Sequence, residues 1–230
     1  MPYNIESVRV NFVEDEPGIP TGFWPSVAHS QNAFVVESFM DEIAVASGLD
    51  PVDLRLELLQ GNPSMRRVLE LAVEKSEWRS PLAHGIHQGV AIHDFHHTLL
   101  AFVAEVSVSP AGDVRVHRAI CALDCGTAIN ARNIAAQMRG GIAFGLTAAL
   151  KGSINITRGR VREGNFDDFP LLRMNEMPRL EVHILPFTGA PTGIGESAVP
   201  LIAPAVCNAI FAATGVRIRS LPVSPSLVES

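Results

Sequence analysis

Thirteen consecutive residues, 201–213, carry a single polar side chain, Asn208. A helix that is apolar on every side has no face to offer water and must be buried. The rest of the chain therefore has to cover this segment. Pro200 suits the first helical position, where a missing N–H costs nothing. Gly215 stands where a left-handed residue ends a helix. Directly before it runs Gly193-Ile194-Gly195-Glu196-Ser197-Ala198-Val199. The two glycines predict a tight turn with backbone at positive φ, and Glu196 sits at the threshold of the helix. A carboxylate in that place has two readings. It caps the helix N–H groups, the commoner outcome and the one the pattern alone favours. Otherwise it is a poised base whose proton affinity is raised by semi-apolar surroundings.

With 230 residues, 47% of them hydrophobic, the chain suits one large domain or two small ones. A net charge of −6 argues against nucleic acid as a partner. The short basic runs Arg158-Gly159-Arg160 and Arg217-Ile218-Arg219 read as a hairpin turn and a strand face. Cys121, Cys125 and Cys207 cannot all pair, and a three-residue gap suits neither a zinc knuckle nor a redox pair, so buried free thiols are expected. No apolar run approaches the roughly 18 residues needed to span a bilayer. The first residues hold no apolar signal core, so the chain itself carries no export signal. A cytoplasmic or periplasmic setting, as part of a complex, is expected.

Alternation over Ser7–Val13 predicts a strand, and a loop rich in proline and glycine follows, carrying Phe23 and Trp24. Apolar spacing predicts helices from Ser30 to Gly48, Pro51 to about Leu59, and about Met65 to Ser76. His29 and Gln31, at the mouth of the first, read as capping and surface groups. Strands are expected over 85–95, 99–109 and 113–123, the last two joined at Pro110-Ala111-Gly112-Asp113. Asn130 or Asn133 caps a helix to about Leu150 with interior glycines at 140, 141 and 145. Each costs roughly 1 kcal/mol against alanine, so something approaches that backbone closely: another helix, the commoner answer, or a ligand. A small hairpin turning at Arg158-Gly159, loops, a weak element near 171–178 and a strand over 180–186 complete the chain. The fold class expected is α+β, with helical layers packed on mainly antiparallel sheets. His84, His87, His93, His96 and His97 invite a metal reading, but His93, His96 and His97 do not share one strand face, and no protein metal ligands are assigned.

Four segments together resemble a known family. They are Gly22-Phe23-Trp24-Pro25-Ser26-Val27-Ala28-His29-Ser30-Gln31 with Glu37-Ser38-Phe39; Asp124-Cys125-Gly126-Thr127 with Gln137-Met138-Arg139-Gly140-Gly141; Asn165-Phe166-Asp167-Asp168-Phe169-Pro170-Leu171-Leu172-Arg173-Met174; and Gly193-Ile194-Gly195-Glu196. The set resembles the molybdenum-binding large subunit of the xanthine dehydrogenase/aldehyde oxidase family, most of all the isoquinoline 1-oxidoreductase β subunit type. The resemblance runs nearly end to end.

It implies that residues 1–230 form the C-terminal part of a molybdopterin-binding domain, with a strand, loop and three helices over 1–80 and strands, glycine-rich helix and catalytic-turn helix over 81–230. It implies a molybdopterin cytosine dinucleotide cofactor, shared with segments outside this chain, and a [2Fe–2S] cluster on a partner small subunit. The implied reaction oxidises an N-heteroaromatic or aldehyde carbon of a small-molecule substrate with water-derived oxygen. By this resemblance Glu196 is the base for Mo–OH, Gln137, Gly140, Gly141 and Gly195 lie at the cofactor, and Trp24 and Val27 line the substrate pocket. Two departures stand out. Pro25 occupies a position that usually holds an arginine, and no Met-Gly-Gln-Gly segment is present. The remainder of the large subunit is expected to supply the missing wall, and the isolated chain is not expected to turn over substrate. The alternative is a noncatalytic truncated fragment or assembly module without bound cofactor.

Overall fold

The computed structural model describes residues 2–11, 13, 14, 18–186 and 189–228. Its centre is a four-stranded sheet. The strands β1 (His87–Phe95), β2 (Thr98–Val108), β3 (Val114–Asp124) and β6 (Arg179–Ile184) lie in the order β1-β2-β3-β6. The first two pairings are antiparallel, with Phe102 opposite Ala91 on one side and Cys121 on the other. The third, β3 with β6, is parallel.

Both faces of the sheet are covered. Leu100, Phe102, Cys121 and Leu123 pack into one apolar cluster with α4 (Ala131–Leu150) and α5 (Val199–Thr214). Ala101, Val103, Ile120 and Ala122 enter the opposite cluster with residues of α1 (Ala28–Ala46), α2 (Pro51–Leu58) and α3 (Pro63–Ser76). Alternation at Val103, Glu105 and Ser107 suggests one wet face for this strand, but helices cover both faces and Glu105 is itself buried. The buried α5 expected from its composition is present, ended by Gly215 at φ 77. It lies so close to β1 that a Cβ on Gly89 would collide with the Ala205 carbonyl and the Ala209 nitrogen. All three cysteines are buried and unpaired.

A two-stranded hairpin, β4 (Ile156–Thr157) and β5 (Arg160–Val161), a 3-10 turn (Met174–Glu176) and a terminal helix α6 (Pro225–Val228) fill the periphery. Asn130, not Asn133, caps α4 by accepting from the Asn133 N–H.

Two expected strands do not form. Residues 7–11 and 13 form no strand; Phe12 lies outside the described residues. Val8 and Val10 are 55% and 85% exposed. Alternation marks a chain fit for a sheet, but a strand exists only where a neighbour accepts its hydrogen bonds. Residues 216–219 are likewise irregular, not a strand. Their cations are answered from α1: Arg217 donates to Asp41 at 2.6 Å and Arg219 to both oxygens of Glu42.

The free edge of β1 is closed by side chains. Glu37 of α1, 1% exposed, accepts hydrogen bonds from Ile92 N at 2.9 Å, from Tyr3 Oη at 2.7 Å and from Arg55 Nε at 3.1 Å. Asn208, the lone polar residue of the apolar stretch, donates to the Glu37 and Val90 carbonyls. Burial and the Glu37 carboxylate push the Tyr3 phenol well above its ordinary range, so it stays a donor. Breaking one half of a buried ion pair leaves an uncompensated charge. Arg55→Met is expected to destabilise the chain by about 3–5 kcal/mol, and Tyr3→Phe by about 1–2 kcal/mol, measured by urea unfolding. Equal midpoints for the Arg55→Met and unsubstituted chains would contradict the hub.

Candidate functional site

The loop before α1 ends in a turn with unusual backbone. Trp24 O accepts the Val27 N–H at 2.9 Å. Ser26 and Val27 sit at φ 66 and 47. Left-handed backbone at a β-branched residue is a true outlier and costs on the order of 1–3 kcal/mol, so the surroundings must hold it. They do so through Glu196. The Ser26 N–H donates to Glu196 Oε2 at 3.1 Å, and the Ser26 hydroxyl donates to the Glu196 carbonyl at 2.7 Å. Ser26 is fully buried.

These contacts remove the capping reading of Glu196. The carboxylate caps no helix: α5 starts from Ala198 without a side-chain cap, and only the Glu196 carbonyl meets the helix, through Val199 N at 3.1 Å. The side chain instead turns to the Trp24 loop. It is exposed within this chain, so the desolvated surroundings expected for a base are not supplied by the described residues. The positive φ expected at Gly193 and Gly195 is also absent. Both lie outside the left-handed region, and a Cβ at either would meet nothing within 4 Å. The glycines leave open space instead of relieving strain.

The turn is fastened to the sheet. Thr98, fully buried at the start of β2, donates to the Gly193 carbonyl at 2.8 Å and lies 2.6 Å from Thr192 Oγ1. The Thr192 N–H donates to the Cys125 carbonyl at 3.0 Å. Gly126, at φ +67, lets the Ala190 carbonyl pass where a Cβ would collide with it. Thr127 donates from its backbone N–H and its hydroxyl to the Gly189 carbonyl. Thus the second sequence segment, Asp124-Cys125-Gly126-Thr127, carries the approach to the fourth.

Helix α4 presents two surfaces here. Gly141 and Gly145 face α5, against Ala198 on one side and Ile202 and Val199 on the other. Gly141 is buried in that packing and leaves no surface for a ligand. Gly140 faces outward with nothing near its missing Cβ, and Gln137, one turn earlier, is exposed with no hydrogen bond among the described residues. Trp24 packs on Phe144 of the same helix, ring centroids 5.1 Å apart. A cavity of about 660 Å³ opens beside them, lined by Trp24, Gly140, Phe144, Phe166, Phe169 and Leu171 among others, none of them charged. Val27 is 52% exposed at the loop's end. Trp24 and Phe144 therefore link the loop to α4, Ser26 links it to Glu196, and Gly141 links α4 to the turn that bears Glu196.

The histidines do not gather as ligands; among the described residues no group of three or more His, Cys, Asp or Glu side chains is placed to hold a metal ion. His29 is instead a hydrogen-bond partner, its Nδ1 lying 2.8 Å from His93 Nε2 of β1. This pair was not legible in the sequence, nor were Ser26 and Thr98. Nothing in spacing predicts contacts across 64, 170 or 95 residues. Burial, then His29, lowers His93 to about 4. Burial, then His96, lowers His29 as well.

Between about 4 and the ordinary value of 6.5 the unfolded chain binds a proton that folded His93 refuses. Stability from this group is complete above pH 6.5 and is lost as pH falls toward about 4. Urea midpoints between pH 7.5 and 4.5 are expected to fall, and to fall less steeply in His93→Gln. Parallel curves for the two proteins would refute the role assigned to the pair.

Residues 50–178 match the family model described as a molybdopterin cofactor-binding domain. The chain is 31% identical over 231 residues to the beta chain of isoquinoline 1-oxidoreductase from Brevundimonas diminuta, an alignment covering 99% of this chain and 30% of that one. It is 30% identical over 248 residues to one of the subunits of nicotinate dehydrogenase from Pseudomonas putida, covering all of this chain and 21% of the relative. Among solved structures, quinoline 2-oxidoreductase from Pseudomonas putida 86 is 25% identical with a TM-score of 0.53, over 57% of this chain and 18% of that one. Aldehyde oxidoreductase from Desulfovibrio gigas, 16% identical, has a TM-score of 0.72 over 89% of this chain and 41% of that one, a likeness of fold alone. The chain spans less than a third of either curated relative. Gln137, Gly140 and Gly141 fall inside the matched residues, while Trp24, Val27, Gly195 and Glu196 fall outside them.

Proposed function

Because the chain belongs to the molybdopterin cofactor-binding family, as a portion of a molybdenum-binding subunit of xanthine dehydrogenase/aldehyde oxidase type, we propose that it supplies one wall of a molybdenum hydroxylase site and that Glu196 is its base. The carrying observation is the contact of Ser26 with Glu196, which holds the carboxylate at the loop bearing Trp24 and Val27 instead of at a helix end.

The residues present fit such a cofactor. Gln137 offers a free amide, and Gly140, Gly193 and Gly195 offer backbone with empty space beside it. A backbone N–H or carbonyl bare of side chain can be approached closely by a flat, polar group. Gly141 serves indirectly, by seating α4 on Ala198. The reading extends to a cytosine dinucleotide form of the cofactor, to a [2Fe–2S] partner subunit that takes the electrons onward, and to the remainder of the large subunit closing the site. When bound, the cofactor supplies the activated water-derived oxygen and accepts two electrons.

The chain's own residues then act as follows. Ser26 N–H occupies Glu196 Oε2, which leaves Oε1 to take up the proton. Trp24 and Phe144 form an aromatic wall, and the cavity beside them lacks charge. Pro25 brings no donor where the resemblance leads one to expect an arginine. Both features favour a substrate held by stacking and shape: an uncharged N-heteroaromatic ring in preference to one bearing a carboxylate.

Glu196→Gln in the assembled, cofactor-loaded enzyme is expected to lower kcat by at least about 100-fold, the low end for a general base, with cofactor content unchanged. Retained turnover at full molybdenum occupancy would reject Glu196 as base.

A further inference from the structure

We propose that Thr98 is a positioning residue for Glu196, acting through the turn that carries it; this rests on the reading of Glu196 as the base. Thr98 is fully buried at the first residue of β2 and touches no part of the open surface. Its hydroxyl has one proton to give, and that proton goes to the Gly193 carbonyl at 2.8 Å. The Thr192 hydroxyl, 2.6 Å away, must then be the donor to Thr98. One buried oxygen thereby fixes two consecutive residues of the turn, four and three positions before Glu196.

Gly193 and Gly195 have no neighbour within 4 Å of a Cβ position, so the turn is held by the Thr98 hydroxyl, by the bond from Thr192 N–H to the Cys125 carbonyl and by Ile194 packed on the core. On its other side Glu196 is fastened by Ser26, whose loop is strained and leans on α1. The start of α1 is in turn tied to β1 by the His29–His93 pair. Both fastenings thus end on one hairpin, with β1 and β2 joined by the tight turn at His96 and His97, φ 48 and 70. The hairpin sets the separation between Ser26 and Gly193, and so the direction in which Oε1 points. Misplacing a catalytic group by about 1 Å costs on the order of 100-fold in rate.

The test compares Thr98→Val, which removes the hydroxyl and keeps the branched shape, with Thr98→Ser, which restores it. In the holoenzyme Thr98→Val is expected to lower kcat by about 10- to 100-fold with KM within about twofold, and Thr98→Ser to return kcat to within about threefold. In the purified chain, amide exchange at Thr192, whose N–H is bonded to the Cys125 carbonyl, is expected to accelerate at least tenfold in Thr98→Val and not in Thr98→Ser. Thr98→Ala serves the same comparison should valine prevent folding. Unchanged kcat and unchanged exchange in the variant lacking the hydroxyl would overturn the proposal, as would failure of serine to restore either. If Glu196→Gln keeps turnover, the base reading falls by itself, while the exchange comparison still reports whether Thr98 holds the turn.

Discussion

A sheet with helices on both faces still has edges, and the β1 edge lies under α1 and α5, away from water. The Ile92 N–H and Val90 carbonyl on that edge need partners, since an unpaired buried backbone group costs about as much as a lost hydrogen bond. Glu37 and Asn208 provide them. Burying a carboxylate to satisfy one N–H would be a poor exchange alone. It succeeds because Arg55 and Tyr3 complete the shell and Arg55 also donates to the Glu37 carbonyl. Four parts of the chain distant in sequence, the residues near Tyr3, α1, α2 and β1, therefore meet at one carboxylate. The Trp24–Val27 turn is the direct N-terminal extension of α1. Its place relative to the sheet follows from this hub.

The candidate site repeats that logic at lower burial. Backbone held in the left-handed region at Ser26 and Val27 would relax if free. Two hydrogen bonds to one residue, Glu196, prevent it, and the carboxylate gains a fixed direction in return. A surface carboxylate tied only by its own side chain would sample several rotamers. One whose main chain and side chain are both grasped by the same buried serine does not.

Composition and spacing revealed the elements well, and the contacts between them poorly. The burial of α5 followed from thirteen nearly all-apolar positions, and its Gly215 end from chain chemistry. The strand over Ser7–Val13 failed because alternation describes a side-chain pattern, whereas pairing requires a second chain segment that one sequence window does not contain. Helix α4 shows the same limit more finely. Its glycines signalled close approach, yet the choice between helix and ligand was not one choice: Gly141 and Gly145 face α5 and Gly140 faces away. Adjacent residues on a helix point about 100° apart, so a Gly-Gly pair serves two surfaces at once. For Glu196 the local pattern favoured a cap and the structure shows a tie to Ser26, which lies 170 residues away. Such a partner is set by topology and leaves no trace in nearby sequence.

The two surfaces of α4 have a mechanical consequence. Gly141 packs on the Cβ of Ala198, two residues beyond Glu196, and Gly145 on Ile202 and the Val199 carbonyl. Gly140, about 100° round the same rigid rod, faces away from α5, and Gln137 lies one turn before it. Close-packed interiors transmit displacement instead of absorbing it. The open face of α4 and the carboxylate are therefore held at a set distance by backbone contact, and Trp24 on Phe144 adds a second tie between the loop and the same helix. A group resting on Gly140 would be placed relative to Glu196 by the helix pair α4–α5, and Glu196 relative to the loop by Ser26. Each of these placements rests on main chain at one end or both.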